Sequence, residues 1–270
     1  MAVRSKKERL IGALGELNSL LVAFSGGVDS ALLLSAAREA LGPRVVAATA
    51  ISPIHPEREQ DEAIQFVRER EIDHILFQTD EMELPEFVAN RADRCYHCKT
   101  VFADKLLHIA KEMGIDYVAH GANADDLTDY RPGLRAARES GIMAPLVDAA
   151  LSKDEIRLLA REMGLSAWDK PAMACLASRF PYGCAITEEG LHQVEAGEAF
   201  LADQGFKGVR VRFYGPLARI EVDPSDMKRM MGDPMRSAVV TGFRQIGFEH
   251  IALDMEGYMP GKMNRDIEGW

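Results

Sequence analysis

Leu20-Leu21-Val22-Ala23-Phe24-Ser25-Gly26-Gly27-Val28-Asp29-Ser30-Ala31-Leu32-Leu33-Leu34 runs from an apolar pentad, through six mostly small residues, into a second apolar run. A short apolar stretch without alternation suits a strand covered on both faces, as in a parallel sheet. Gly26 and Gly27 permit backbone angles closed to other residues. Consecutive N–H groups can therefore turn inward as an anion nest, and a following helix adds its positive end. Ser25 and Ser30 are expected to aim hydroxyls at the same oxygens. No lysine is present, so this is not the Gly-x4-Gly-Lys-Ser/Thr loop that cradles a transferable γ-phosphate. The bland alternative is a Gly-rich turn with Ser or Asp as helix cap.

Outward from this stretch, helical and strand patterns alternate. Lys6–Leu20 carries apolar residues at helical spacing. Ala31–Leu41 reads as a helix stopped by Gly42-Pro43, Val45–Ile51 as a buried strand, Glu57–Arg70 as a helix and His74–Gln78 as a strand. Cys98–Met113 reads as a helix and Tyr117–His120 as a strand. Such alternation predicts a doubly wound α/β domain with a parallel sheet, and in these sheets ligands bind beyond the carboxyl ends of the strands, where Ser25, Ser52 and Gly121 fall. Periodicity lapses over Ala172–Ala185. Thr187 then caps a helix running to about Asp203, followed by strands at Gly208–Tyr214 and Leu217–Val222, one or two helices in Pro224–Ile246 and a strand at His250–Leu253. The expected organisation is a phosphate-loop domain over 1–170, a linking segment over 171–185 and a smaller α+β domain over 186–270.

The formal charge is 32 minus 42, or −10, so the molecule repels polyanions and a bulk nucleic-acid binder is disfavoured. No apolar run approaches the roughly 20 residues of a membrane span, and the amino terminus lacks a signal-peptide core, so the chain reads as cytoplasmic. Four cysteines in that compartment point to chemistry or metal rather than to disulfides. Cys95 and Cys98 lie three apart at an expected helix start, a spacing that lets both reach one metal ion or cluster. Cys175 and Cys184 lie in the irregular segment. A closed tetrahedral zinc site is the competing use of four thiolates. Arg210 and Arg212 alternate with Val209, Val211 and Phe213, so both guanidiniums leave one strand face, either as a solvated basic face or, with Arg179, as an anion clamp. His97 reads as a solvent-facing helix residue, and Met230, Met231, Met255 and Met259 as core or subunit contact.

The hexapeptide Ser25–Ser30 resembles that of the PP-loop ATP pyrophosphatases. Asp129-Tyr130-Arg131-Pro132-Gly133, Cys175-Leu176-Ala177-Ser178-Arg179-Phe180-Pro181-Tyr182-Gly183, Val209–Phe213, Ala218–Glu221 and Gly261-Lys262-Met263-Asn264 resemble, within that superfamily, the LarE family of ATP-dependent sulfur transferases. The resemblance implies adenylation of a carboxylate of pyridinium-3,5-biscarboxylic acid mononucleotide and its conversion to a thiocarboxylate, on the route to the nickel-pincer nucleotide. It further implies that Ser25, Gly26, Gly27, Val28, Asp29 and Ser30 hold pyrophosphate with Mg²⁺, that Ser52 and Gly121 lie at the ATP site, and that Ser178, Arg179, Arg210 and Arg212 hold the substrate phosphate. Glu198 and Glu221 align with acidic active-site residues that bind metal or accept protons, and homo-oligomers are expected.

One branch of the family sacrifices a cysteine as sulfur donor. That position falls on Ala174 here, one residue before Cys175, and that branch lacks the Cys-x-x-Cys pair. The chain resembles the other branch, in which three cysteines, here Cys95, Cys98 and Cys175, hold a 4Fe-4S cluster, with Cys184 left over. Cys175 as sacrificial donor is the alternative for the same reaction. PP-loop tRNA thiolation is a further one, opposed by the net charge. The sulfide source is not legible.

Overall fold

In a computed structural model, which describes residues 3–128, 132–171, 174–259 and 262, most of the apolar pentad becomes the central strand of a parallel sheet. In chain order the elements are α1 (Val3–Gly15), β1 (Leu20–Ala23), α2 (Val28–Leu41), β2 (Val45–Ile51), α3 (Glu57–Glu69), β3 (Asp73–Gln78), α4 (Pro85–Val88), α5 (Arg94–Met113), β4 (Tyr117–His120), α6 (Pro132–Glu139), α7 (Pro145–Asp148) and α8 (Lys153–Glu162). They continue with α9 (Glu188–Asp203), β5 (Arg210–Tyr214), β6 (Leu217–Glu221), α10 (Met227–Met231), α11 (Met235–Ile246) and β7 (His250–Leu253). Two compact units result, Met1–Glu81 with Cys95–Met173, and Met82–Arg94 with Ala174–Trp270.

In the first unit the strand order is β3-β2-β1-β4, all parallel. Successive side chains on a strand point to opposite faces. Leu20, Val22, Val45 and Ala47 accordingly pack with Leu10 and Leu14 of α1, Leu32 to Leu34 of α2, Phe66 of α3 and Leu159 of α8. Leu21, Val46 and Ala48 pack on the other face with Ala103 and Leu106 of α5. Both faces are covered, which is why β1 and β2 show no polar alternation. Thr49 lies inside this layer and donates its hydroxyl to the Phe24 carbonyl at 2.7 Å. Strands β2 and β3 extend one way from β1 and β4 lies on its other side, so the loops after β1 and β4 diverge over a crevice at the carboxyl edge.

Gly121, which follows β4, allows those two loops to touch. A Cβ there would lie 2.8 Å from the Ser30 nitrogen and 3.0 Å from its Cα, atoms of α2's first turn that cannot move without unwinding it. The sequence patterns place no element between 121 and 170, where α6, α7 and α8 stand. Helix α8 has a complete capping box: the Glu155 amide bonds the Ser152 hydroxyl, and the Ser152 amide donates to the Glu155 carboxylate at 2.9 Å. Helix α5 begins at Arg94, four residues before the expected start, so both Cys95 and Cys98 lie in its first turn.

In the second unit β5 and β6 form an antiparallel hairpin with Tyr214 opposite Leu217, and α10 and α11 return the chain so that β7 pairs parallel with β6. Its core is Leu201, Val211, Ile220, Val222, Phe243 and Phe248. Met230 is buried, whereas Met231 and Met255 are exposed. Thr187 caps α9 through the Gly190 amide at 3.1 Å, as its sequence predicts. Residues 82–94 belong here because Asn90 pins them: its side-chain amide donates to the Pro181 and Cys184 carbonyls at 2.8 Å each, and its own carbonyl accepts from Gly183 at 3.0 Å. No helix among the described residues is long and apolar enough to cross a membrane.

Gly121→Ala is expected to cost about 3 kcal/mol, because overpacking against a backbone cannot be relieved by a rotamer change. A lowered urea midpoint would register it, and an unchanged midpoint would contradict the close approach.

Candidate functional site

Helix α2 opens directly on the loop after β1. Its N-cap, Gly27, offers no side-chain acceptor, so the amides that begin the helix have no cap from the chain itself. Gly26 adopts the left-handed region at φ 75°, with its Cβ direction facing Ala63 of α3 at 3.2 Å. Gly27 departs from expectation, since at φ −76° and ψ 161° it is ordinary extended backbone. The serines also depart from it. Ser25 and Ser30 hydroxyl oxygens lie 3.2 Å apart, Ser30 donates to the Gly27 carbonyl at 3.1 Å and the Ser25 amide donates to Ser30 at 3.3 Å. The two hydroxyls therefore brace the loop, each also accepting from a loop amide, that of Ser25 or Gly27.

Asp29 stands in the first turn of α2 with its Oδ1 buried and without a hydrogen-bond partner, while Oδ2 accepts from Lys153 at the start of α8. Burial raises its pKa above the usual carboxylate value against the pull of Lys153, with Asp126 nearby adding to the rise and the Asn123 side chain, close enough to hydrogen-bond though not in good geometry with Oδ1, lowering it. The proton is thus retained longer in the folded chain. Stability from this group is full below the unfolded pKa and is lost as pH rises through the folded one. A divalent cation on Oδ1 would remove that penalty, and a hard carboxylate oxygen beside an anion nest suits Mg²⁺ carried in with phosphates.

Around the same sheet edge, the loop after β4 is stiffened by side chains. The Asn123 amide donates to Asp126, the Asp125 amide to Asn123 Oδ1 (each 2.9 Å) and the Lys153 amide to Asp125 at 2.8 Å. Ser52, expected near adenosine, is buried after β2 and donates its hydroxyl to the buried Glu81 carboxylate, so it holds the loop rather than presenting its own oxygen. His55 and His120 are each lowered to about 4, by burial first and then by Lys99, and both stay neutral at physiological pH.

The second unit gathers the predicted substrate cations, but two of them are already committed. Arg179 is buried and donates to both Glu198 oxygens, at 2.9 and 2.8 Å, and to the carbonyls of Ala174 and Cys175, at 2.6 and 3.1 Å. Arg212, also buried, donates to Glu221 at 2.6 Å and to the Ser178 carbonyl at 3.1 Å. Glu221 is fully buried and also takes Arg219 at 3.2 Å. Glu198 and Glu221 are therefore ion-pair members rather than open metal ligands. Arg210 donates to the Val209 carbonyl at 2.7 Å and lies over the Tyr258 ring at 4.9 Å, with its pKa lowered by burial first and then by Arg179, against the pull of Glu198.

All four cysteines are half-buried. Cys95 and Cys98 occupy one helical turn, a donor pair that suits two positions of a cluster, yet among the described residues no group of three or more His, Cys, Asp or Glu forms a metal-binding site. His97, expected to face solvent, is half-buried and packs edge-on against Tyr96 at 5.7 Å. The predicted motif residues Asp129, Tyr130, Arg131, Gly261, Met263 and Asn264 lie outside the described residues.

No protein-family model matches the chain. It is 44% identical over 263 residues to an uncharacterized protein of Synechocystis, covering 97% of this chain and 98% of that one. It is 36% identical, again over 263 residues, to the pyridinium-3,5-bisthiocarboxylic acid mononucleotide synthase of Lactiplantibacillus plantarum, covering 96% of this chain and 94% of the synthase. The chain belongs to this synthase family. A more distant relation, 26% identity over 68% of the chain and 39% of the relative, links the family member to the glutamine-hydrolyzing GMP synthase of Aeropyrum pernix.

The residues of this family member that sequence reasoning misses are Lys153, Asn123 and Asp126. Their only sequence signal is the Ser152/Glu155 capping box, which marks a helix start but not the side chain beyond it. Lys153→Met is expected to raise the Asp29 pKa further. Mg²⁺ binding with pyrophosphate, which needs the carboxylate ionised, would then fail at a higher pH as the solution is acidified; calorimetric titration across a pH series reads the limb, and an unmoved limb contradicts the pairing. Glu221→Gln is expected to cost about 3 kcal/mol, since it strands the buried Arg212, and chemical denaturation measures it.

Proposed function

We propose that this protein adenylates a carboxylate of pyridinium-3,5-biscarboxylic acid mononucleotide with ATP and replaces an oxygen with sulfur to give a thiocarboxylate. The observation that carries the reading is the near full-length match to the Lactiplantibacillus plantarum synthase. The uncapped α2 terminus and the unpartnered Asp29 oxygen support it, because together they suit a magnesium-bound pyrophosphate leaving group.

In this reading a substrate carboxylate oxygen attacks the α-phosphorus, and the bond to the β-phosphate breaks. Pyrophosphate leaves into the Ser25–Ser30 loop, where main-chain amides take up its charge; Asp29 would hold a Mg²⁺ ion, which when bound would supply further positive charge there. A sulfur nucleophile then adds to the acyl carbon and AMP departs. Lys153 opposes the burial that raises the Asp29 pKa. Ser52 and Gly121 act through loop shape. Arg210 is assigned the substrate phosphate, while Arg179 and Arg212 hold Ser178 and the Ala174–Cys175 backbone in place around it. Glu198 and Glu221 are assigned the alignment of those arginines. In this reading residues 1–170 act on ATP, 171–185 link and 186–270 bind substrate, except that residues 82–94 pack with the second unit, and homo-oligomeric assembly belongs to the same reading.

For sulfur, Cys95, Cys98 and Cys175 are proposed to hold a 4Fe-4S cluster, which when bound would supply a sulfide nucleophile; Cys175 as direct donor is the competing source. Anaerobically purified protein given ATP, Mg²⁺, sulfide and the biscarboxylate nucleotide is expected to release pyrophosphate and form product of the mass in which sulfur replaces oxygen. Asp29→Asn is expected to abolish both without unfolding the chain. Pyrophosphate release surviving in that variant would remove the loop from the mechanism. Iron content and the intact mass of Cys175 after turnover separate the two sulfur sources.

A further inference from the structure

The nest depends on one peptide unit, that between Gly26 and Gly27, and the contact that orients it comes from far along the chain. Lys170 donates its ammonium to the Gly26 carbonyl at 3.3 Å. Across a trans peptide the C=O and N–H point in opposite directions, so a carbonyl held from outside turns the Gly27 N–H toward the loop interior. That interior direction agrees with the contact of the Gly27 amide with the Ser25 hydroxyl at 3.4 Å. Gly26 itself has a positive φ and no side chain, so the Lys170 contact adds to the Ser25 hydroxyl in resisting a peptide flip.

The lysine is fixed from both ends. Its ammonium forms an ion pair with Glu62 on α3, the helix that packs against Gly26 through Ala63. Glu62 also accepts from Arg58 at 3.2 Å, and although burial works against ionisation, Lys170 and Arg58 hold its pKa below the usual value. The backbone is held on α8, where Arg157 donates to the Trp168 and Lys170 carbonyls at 2.8 and 2.6 Å. A long, flexible side chain restrained in this way loses little further entropy in making its contact with the loop.

We propose that Lys170 is a positioning residue that orients the Gly26–Gly27 peptide for pyrophosphate. The inference rests on the functional reading above and assigns to Lys170 a role in the same site. The test uses inorganic pyrophosphate with Mg²⁺ as probe and adenosine as control ligand. Lys170→Met is expected to weaken pyrophosphate binding about tenfold, the scale of a lost hydrogen bond to a charged group, with adenosine affinity unchanged. Lys170→Arg is expected to stay within about twofold of wild type, and Glu62→Gln to fall between. The loss should persist at high salt, because an orientation is not screened.

Wild-type pyrophosphate affinity in Lys170→Met overturns the inference, as does equal loss of both ligands or a loss that vanishes in high salt. If Lys170→Met fails to fold, Glu62→Gln decides: a severalfold loss supports the inference and unchanged binding overturns it. Failure of the wild-type chain to bind pyrophosphate overturns the functional reading together with this one, whereas wild-type binding with an indifferent Lys170→Met sinks this one alone.

Discussion

A half-buried carboxylate with one oxygen out of contact with water, at a helix end whose N-cap is glycine, is the constraint around which the first unit is arranged. Burial raises the Asp29 pKa, and Lys153 opposes that rise from α8. That helix must therefore begin at a defined place, which the Ser152/Glu155 box and the Asp125 contact secure. The loop after β4 must lie against α2, which Gly121 permits. Strand order β3-β2-β1-β4 meets these demands by putting the loops after β1 and β4 at the switch point of the sheet.

The second unit has the converse problem, several guanidiniums gathered in little space. Register sets Arg210 opposite Glu221 and Arg212 opposite Arg219, so like charges would face one another without the buried carboxylate between them. Glu221 takes both Arg212 and Arg219, and Glu198 takes Arg179 in a two-pronged pair. Removing one member of such a set strands the others, so its charges act together rather than as separate contacts.

What was legible in the sequence follows from the range of each signal. β2, β4 and β7 coincide with their expected bounds because apolar runs between turn residues are local, and the Thr187 cap was visible for the same reason. The alternation Val209-Arg210-Val211-Arg212 correctly separated two faces of β5. It could not say that Glu221 would close over Arg212, because a period of two identifies a face and not its neighbour. Lys153 and Lys170 were invisible for a related reason: they reach the phosphate loop from more than a hundred residues away, and no local pattern announces it. The early start of α5 at Arg94 was not legible, because Arg94-Cys95-Tyr96-His97 carries no run of apolar residues at helical spacing.

Irregular backbone in this chain is held by cationic side chains. A segment without a helix or strand ladder leaves carbonyls to be satisfied by other donors. Arg157 serves Trp168 and Lys170, Lys170 serves Gly26, and Arg179 serves Ala174 and Cys175. Each of these side chains would pass for a ligand-binding cation if judged by type and position alone. A guanidinium that holds carbonyls and a carboxylate cannot also take a phosphate without releasing them. Arg210 likewise donates to a carbonyl, that of Val209 at 2.7 Å, and lies over the Tyr258 ring, so its charge too is partly engaged by the chain itself.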